Sequence, residues 1–219
     1  IGAILIEPIQ CEGGLRLPPE GFLGRLRALC DEREVILIFD EVQTGIGRCA
    51  EYFAYELTDV IPDIMSLAKG IGGGVPLGAM LAKQEIARAF VPGTHASTFG
   101  GNPLATRAGL EVMRVIADEK LLDRAHASGE VLGKGLKRLR ARYPDLCVEA
   151  RGVGLLRGLE LDKRVAGLGA RVVEAARTRG LLLNAIQGHI LRFAPPLTIR
   201  KEEIQTALEI LDEVLAENV

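Results

Sequence analysis

Three polar residues close apolar runs in the first third of the chain: Glu7 follows "AILI", Asp40 follows "VILIF" and Lys69 follows "DIMSLA". A polar residue directly after a strand-length apolar run stands at that strand's carboxyl end, and open α/β sheets bind ligands along that edge. Gly70, Gly72, Gly73 and Gly74 follow Lys69. A phosphate-cradling P-loop uses the same residue types but needs its glycines before the Lys-Ser/Thr pair, so the order excludes it. No GxGxxG follows the strands either, which leaves a dinucleotide fold without support. A pyridoxal phosphate site uses these parts better. Its lysine condenses with the aldehyde, and its carboxylate keeps the pyridine nitrogen protonated so that the ring accepts electrons. Taken alone, Asp40 also fits a turn or helix cap, and Lys69 a surface lysine with its stem on apolar groups. The set carries more weight than either member.

The apolar runs "AILIEP", "VILIFDE", "DIMSLA" and "LGAMLA" predict strands. Between the first two, Phe22, Leu23, Leu26, Leu29 and Cys30 recur at helical spacing. That makes a βαβ unit and a parallel sheet with a right-handed crossover, which sends Glu7, Asp40 and Lys69 to one edge. From "NPLATRAGLEVMRVIADEK" onward long helical patterns take over, with Asn102 as cap and Pro103 in the first turn. A second helix runs through about Arg142. "VEARGVGLLRGLELD" reads as a strand pair, "GARVVEAARTRG" as a helix, "GLLLN" and "HILRFAP" as short strands, and "KEEIQTALEILDEVLAE" as a closing helix. Its apolar face is Ile204, Ala207, Leu208, Leu211, Val214 and Leu215. The fold class is therefore α/β for residues 1–110 followed by an α+β region over 111–219.

Composition narrows the partners. The 219 residues are 48% hydrophobic, enough for a real core. Lysine and arginine total 27 against 29 acids, a net charge of −2 without a long single-sign run, so the footprint of a nucleic-acid binder is missing and small molecules are expected. Cys11, Cys30, Cys49 and Cys147 lie too far apart for a zinc ribbon or a disulfide framework, which fits a reducing compartment. His95, His126 and His189 are scattered, and no metal site is expected. No apolar run reaches the roughly 18–20 residues that span a bilayer and no signal-peptide pattern opens the chain, so a cytoplasmic location is expected.

"FDEVQTGIGR", "LAKGIGGGVPLGA", "HASTFGGNP" and "ILRFAPPLT" together resemble, in order and spacing, the class III, fold-type I pyridoxal-phosphate aminotransferases. The resemblance covers the whole chain. It implies part of a mostly parallel seven-stranded sheet in a large cofactor-binding domain, then a small C-terminal domain. It makes Lys69 the cofactor lysine and proton shuttle, Asp40 the partner of the pyridine nitrogen, and Gln43 the amide near the phenolic oxygen. Thr98, with Ser97 beside it, matches the threonine that reaches the phosphate from a neighbouring subunit, which implies a homodimer with shared sites. Arg192 matches the arginine that grips the substrate α-carboxylate, and Glu12 the glutamate that pairs with it when an ω-amino donor is bound. Arg151 and Arg157 read as structural. Cys11 stands where the family has glycine, and Cys49–Ala50 where Thr-Gly is usual.

The implied reaction moves the ω-amino group of N-acetylornithine, or of a similar donor, to 2-oxoglutarate, giving a semialdehyde and glutamate, a step of arginine biosynthesis. Ornithine, 4-aminobutyrate and lysine-pathway donors remain alternatives, as does a catalytically silent module. "IGAILIEP" opens inside a strand pattern, and neither the family's phosphate-binding loop at a helix N-terminus nor its ring-stacking aromatic precedes it. The 219 residues alone are therefore expected to bind pyridoxal phosphate weakly, with the missing N-terminal half as a possible partner.

Overall fold

The computed structural model describes residues 1–218. They form two compact units, one of Ile1–Ile9, Leu17–Gly47 and Glu51–Lys120, the other of Gln10–Arg16, Arg48–Ala50 and the chain from Leu121 onward.

The first unit holds β1 (Ala3–Ile6), α1 (Phe22–Glu32), β2 (Ile36–Asp40), β3 (Ile64–Leu67), β4 (Ala79–Ala82), α2 (Gln84–Ala87) and α3 (Pro103–Asp118). Its sheet runs β1-β2-β3-β4. β1, β2 and β3 are parallel, with Ala3 opposite Ile36 and Asp40 opposite Ser66, while β4 returns antiparallel along β3. Only a 3-10 turn over Lys69–Gly72 and a short glycine-rich stretch join β3 to β4. A parallel return needs a crossover of a dozen or more residues, so that link dictates the reversal. α1 buries Leu23 and Cys30 against Leu37, Phe39 and Val60. Phe22 and Leu29 stay exposed at the rim of its apolar stripe, which is narrower than their spacing suggests.

At the amino end of β3, Asp63 accepts from the Leu37 amide at 2.8 Å, Arg27 at 2.9 Å and Lys83 Nζ at 2.8 Å. Burial pushes its carboxyl pKa up, but the bonds from Lys83, the Leu37 amide and Arg27 outweigh burial and hold it below the usual carboxylate range. α3 starts as its sequence predicts: Asn102 Oδ1 accepts from the Ala105 amide at 3.0 Å, with Pro103 at the first helical position. It runs unbroken through residue 110, and the two units divide between Lys120 and Leu121.

The second unit holds α4 (Leu121–Arg142), β5 (Cys147–Val153), β6 (Leu156–Leu161), α5 (Leu168–Thr178), β7 (Asn184–Ile186), β8 (Ile190–Phe193) and α6 (Lys201–Ala216). Its antiparallel sheet is ordered β5-β6-β8-β7. Ile204, Leu208, Leu211, Val214 and Leu215 of α6 join Leu132, Leu136 and Leu139 of α4 over Leu159, Leu161 and Leu191 of the sheet. Gly129 lets α4 approach the β5–β6 turn, since a Cβ there would lie 2.2 Å from the Gly154 carbonyl oxygen. The strand expected at "GLLLN" starts only at Asn184, opposite Arg192. Continuing that register would set Leu183 opposite Phe193, Leu182 opposite Ala194 and Leu181 opposite Pro195, where β8 has already ended and the proline has no N–H to donate. Leu181 and Leu183 pack on the core without a ladder, and Leu182 is exposed.

Candidate active site

Asp40 is the last residue of β2. Its Oδ1 accepts from the Val42 amide at 3.0 Å and the Ser66 hydroxyl at 3.3 Å, while Oδ2 takes no hydrogen bond from a described residue. Lys69 lies three residues beyond Ser66 on the neighbouring strand and opens the Lys69–Gly72 turn. Its side chain is exposed, and Nζ has no hydrogen bond or ion pair among the described residues. Its φ is 51°, a left-handed conformation that costs a non-glycine residue about 1–2 kcal/mol and recurs at functional sites. The turns after β2 and β3 touch: a Cβ on Gly70 would lie 3.5 Å from Ile46 Cβ. α3 braces the same turn, because a Cβ on Gly109 would come within 3.2 Å of the Ile71 carbonyl oxygen. The parallel strands thus bring Asp40 and Lys69 to one sheet edge, each with an unengaged polar group.

The turn after Asp40 is fixed from within. Glu41 is 1% exposed and accepts from Thr44 Oγ1 at 2.5 Å, the Ala54 amide at 2.9 Å and the Tyr55 amide at 2.8 Å. Burial pushes its pKa up, partly opposed by those three bonds. Gln43 lies half-buried on this turn. The sequence points to Asp40 and Gln43 and gives Glu41 no role. Its signal was there: a carboxylate one place after Asp40 alternates to the opposite side of the strand and needs donors of its own.

Ser97 and Thr98 are exposed on the loop that enters α3, where Ser97 Oγ accepts from the Gly100 amide at 3.0 Å. No hydrogen bond among those described joins either of them to Asp40 or Lys69.

The second unit brings Glu12 and Arg192 together. Glu12 lies on the Gln10–Arg16 hairpin, closed by main-chain bonds between Gln10 and Arg16 at 3.0 and 2.9 Å. Arg192 projects from β8, and its guanidinium pairs with the Glu12 carboxylate. The Glu12 side chain is 64% exposed. Gln187 Nε2 donates to the Glu12 carbonyl at 3.3 Å. Arg151 grips the hairpin main chain, donating to Gly14 O at 2.6 Å and Leu15 O at 3.0 Å, and pairs with Glu149 at 2.7 Å and Glu160 at 2.6 Å. Arg157 donates to Gly152 O at 2.8 Å and Gly154 O at 2.9 Å. Among the described residues no cluster of His, Cys, Asp and Glu could hold a metal ion.

Known proteins resemble the chain closely. Acetylornithine aminotransferase of Synechocystis sp. is 45% identical over 216 residues, 99% of this chain and 50% of its own length. The crystal structure of acetylornithine aminotransferase from Elizabethkingia anophelis has a TM-score of 0.92 at 38% identity, covering 98% of this chain and 54% of that one. An ornithine aminotransferase of Toxoplasma gondii, described with PLP at partial occupancy in its active site, has a TM-score of 0.92 at 38% identity, covering 98% of this chain and 50% of its own. This chain spans about half the length of the relatives it matches. The neighbours share its α/β architecture with a mostly parallel sheet. With the family model for class-III aminotransferases matching residues 1–215, the chain belongs to that family.

Proposed function

We propose that this chain carries much of the active site of a pyridoxal-phosphate-dependent aminotransferase that moves the ω-amino group of N-acetylornithine to 2-oxoglutarate. The observation that carries the reading is the placement of Asp40 at the end of β2 and of Lys69 in the turn just beyond β3, its parallel neighbour, with Asp40 Oδ2 and Lys69 Nζ both unengaged among the described residues. That donor set fits the cofactor: one carboxylate oxygen is anchored and the other can accept from a protonated pyridine nitrogen, while the amine stands on a turn whose glycines leave room beside it. The cofactor, when bound, supplies the electron sink that lets a C–H bond next to the amino group be broken.

The chain's own residues do the rest. Lys69 Nζ would take the proton from the donor carbon and pass it to the cofactor within the same half-reaction, and would carry a proton the opposite way in the second. Asp40 keeps the pyridine nitrogen protonated, with Ser66 and Val42 fixing its orientation. Gln43, on the turn after β2, would hold the phenolic oxygen of the ring. Arg192 holds the α-carboxylate of glutamate or 2-oxoglutarate through a two-pronged guanidinium contact, and Glu12 covers Arg192 when an ω-amino donor enters. Ser97 and Thr98 would hold the phosphate bound by a second copy, which makes the working form a homodimer.

Two likenesses bear on the donor. The acetylornithine aminotransferase relatives favour N-acetylornithine, and the similarity to ornithine aminotransferase structures favours ornithine as the second reading. The test is an absorbance spectrum of the intact protein with added pyridoxal phosphate, before and after borohydride, with mass mapping of the labelled lysine. A label on Lys69 is expected, and its absence refutes the site. A donor panel with 2-oxoglutarate as acceptor then separates N-acetylornithine from ornithine and 4-aminobutyrate.

A further inference from the structure

In the second unit's sheet, Arg151 of β5 is register partner to Gly158 of β6, and Gly158 to Arg192 of β8. Cross-strand partners project to the same face, so the two arginines occupy one row, two strands or about 10 Å apart. Gly158 leaves the row open between them, and Leu15 fills the gap, since a Cβ on Gly158 would lie 3.4 Å from Leu15 Cδ1. Leu15 is fully buried. The Gln10–Arg16 hairpin is therefore fastened to this face at two points of different character. At one end the Arg151 side chain, 7% exposed, holds main-chain carbonyls of Gly14 and Leu15. At the other end the exposed Glu12 carboxylate pairs with Arg192, the contact that, on the aminotransfer reading above, a substrate carboxylate would replace.

We propose that Arg151 is a positioning residue for substrate choice. It keeps the hairpin in register so that Glu12 returns to Arg192, and it thereby sets how strongly a ligand carboxylate must compete for that guanidinium. The ligand class, a dicarboxylate against an ω-amino donor, rests on the aminotransfer reading above. Arg16, bonded to Glu160 at 3.3 Å, shares the acidic partners of Arg151, so charge alone is not what Arg151 adds; the carbonyl grip is.

The test is calorimetric binding of glutarate, a dicarboxylate with no amino or oxo group, to the intact protein and its Arg151→Met, Glu12→Gln and doubly substituted variants. Arg151→Met is expected to tighten glutarate about fivefold, and the double variant to bind no tighter than Glu12→Gln. In turnover, the kcat/KM ratio of the glutamate half-reaction to the ω-amino half-reaction should rise by a similar factor. An unchanged affinity overturns the proposal. So does the same change in the Glu12→Gln background, because a merely structural role would act without Glu12. Should Arg151→Met fail to fold by circular dichroism, Arg151→Lys carries the same comparison, since it keeps the charge but cannot span two carbonyls. Wild-type protein with neither glutarate binding nor a label on Lys69 would defeat the aminotransfer reading and this proposal together; a labelled wild type with a silent Arg151 defeats only the latter.

Discussion

Replacing Glu41 tests whether the turn after Asp40 is held by one buried carboxylate. Glu41→Ala strands the Ala54 and Tyr55 amides, which the carboxylate binds at 2.9 and 2.8 Å, while the Thr44 hydroxyl can rotate toward another acceptor. Each buried donor left unpaired costs about 1–3 kcal/mol, and relief from burying a charge offsets part of that, giving a net loss of about 2–4 kcal/mol. With an m-value of about 2 kcal/mol/M, the urea midpoint should fall by about 1–2 M at unchanged m. Glu41→Gln keeps one acceptor oxygen and turns an NH2 group toward a donor, so about 1–3 kcal/mol is expected. The pH dependence has a definite sign. Burial raises the Glu41 pKa, so the folded state binds a proton that the unfolded state has released. The wild-type advantage over the non-titrating Gln variant is then greatest below the usual carboxyl range and shrinks as pH rises through the raised value. Urea unfolding of both proteins across that range is the assay. A midpoint shift under about 0.3 M, or a gap that widens with rising pH, would refute the reasoning.

Asp40→Asn keeps the bonds to Oδ1 but removes the charge, so pyridoxal phosphate should bind about tenfold to a hundredfold more weakly, or about 1.5–3 kcal/mol, in a fluorescence titration; equal affinity would remove Asp40 from the site. Asp63→Asn should destabilise by about 2 kcal/mol at neutral pH, since Arg27 and Lys83 lose their shared partner. The Asp63 pKa is lowered in the fold, so its contribution is present above about 3.9 and lost as pH falls through the folded value; thermal unfolding should show the gap closing in acid. Gly24→Ala in α1 meets no atom within 4 Å and should stabilise by about 0.5–1 kcal/mol, whereas Gly129→Ala in α4 should destabilise by about 1–3 kcal/mol because its Cβ would lie 2.2 Å from the Gly154 carbonyl oxygen. Equal melting shifts for those two variants would contradict the packing.

What the sequence made legible is what local chemistry dictates. Short apolar runs ending in Glu7, Asp40 and Lys69 gave three parallel strands and their common edge, because each run is one strand long and the polar residue that closes it falls at the carboxyl end. Asn102 and Pro103 marked a helix start whose cap depends only on residues three apart. Long-range partners were hidden. Nothing around Arg151 reveals that its guanidinium grips carbonyls 136 and 137 residues earlier in the chain. Leu181–Leu183 have strand composition, but the strand they would pair with ends at Phe193, two residues before Pro195. The antiparallel course of β4 followed from the short link before it, which carries Lys69 and is too short for a helical crossover.

The left-handed backbone at Lys69 bears on protein engineering. Glycine or asparagine tolerates that conformation more readily than lysine, so a library screened for heat resistance alone should enrich both at position 69. Sturdier proteins recovered that way would have discarded the amine, and a thermostabilisation campaign should hold this codon fixed.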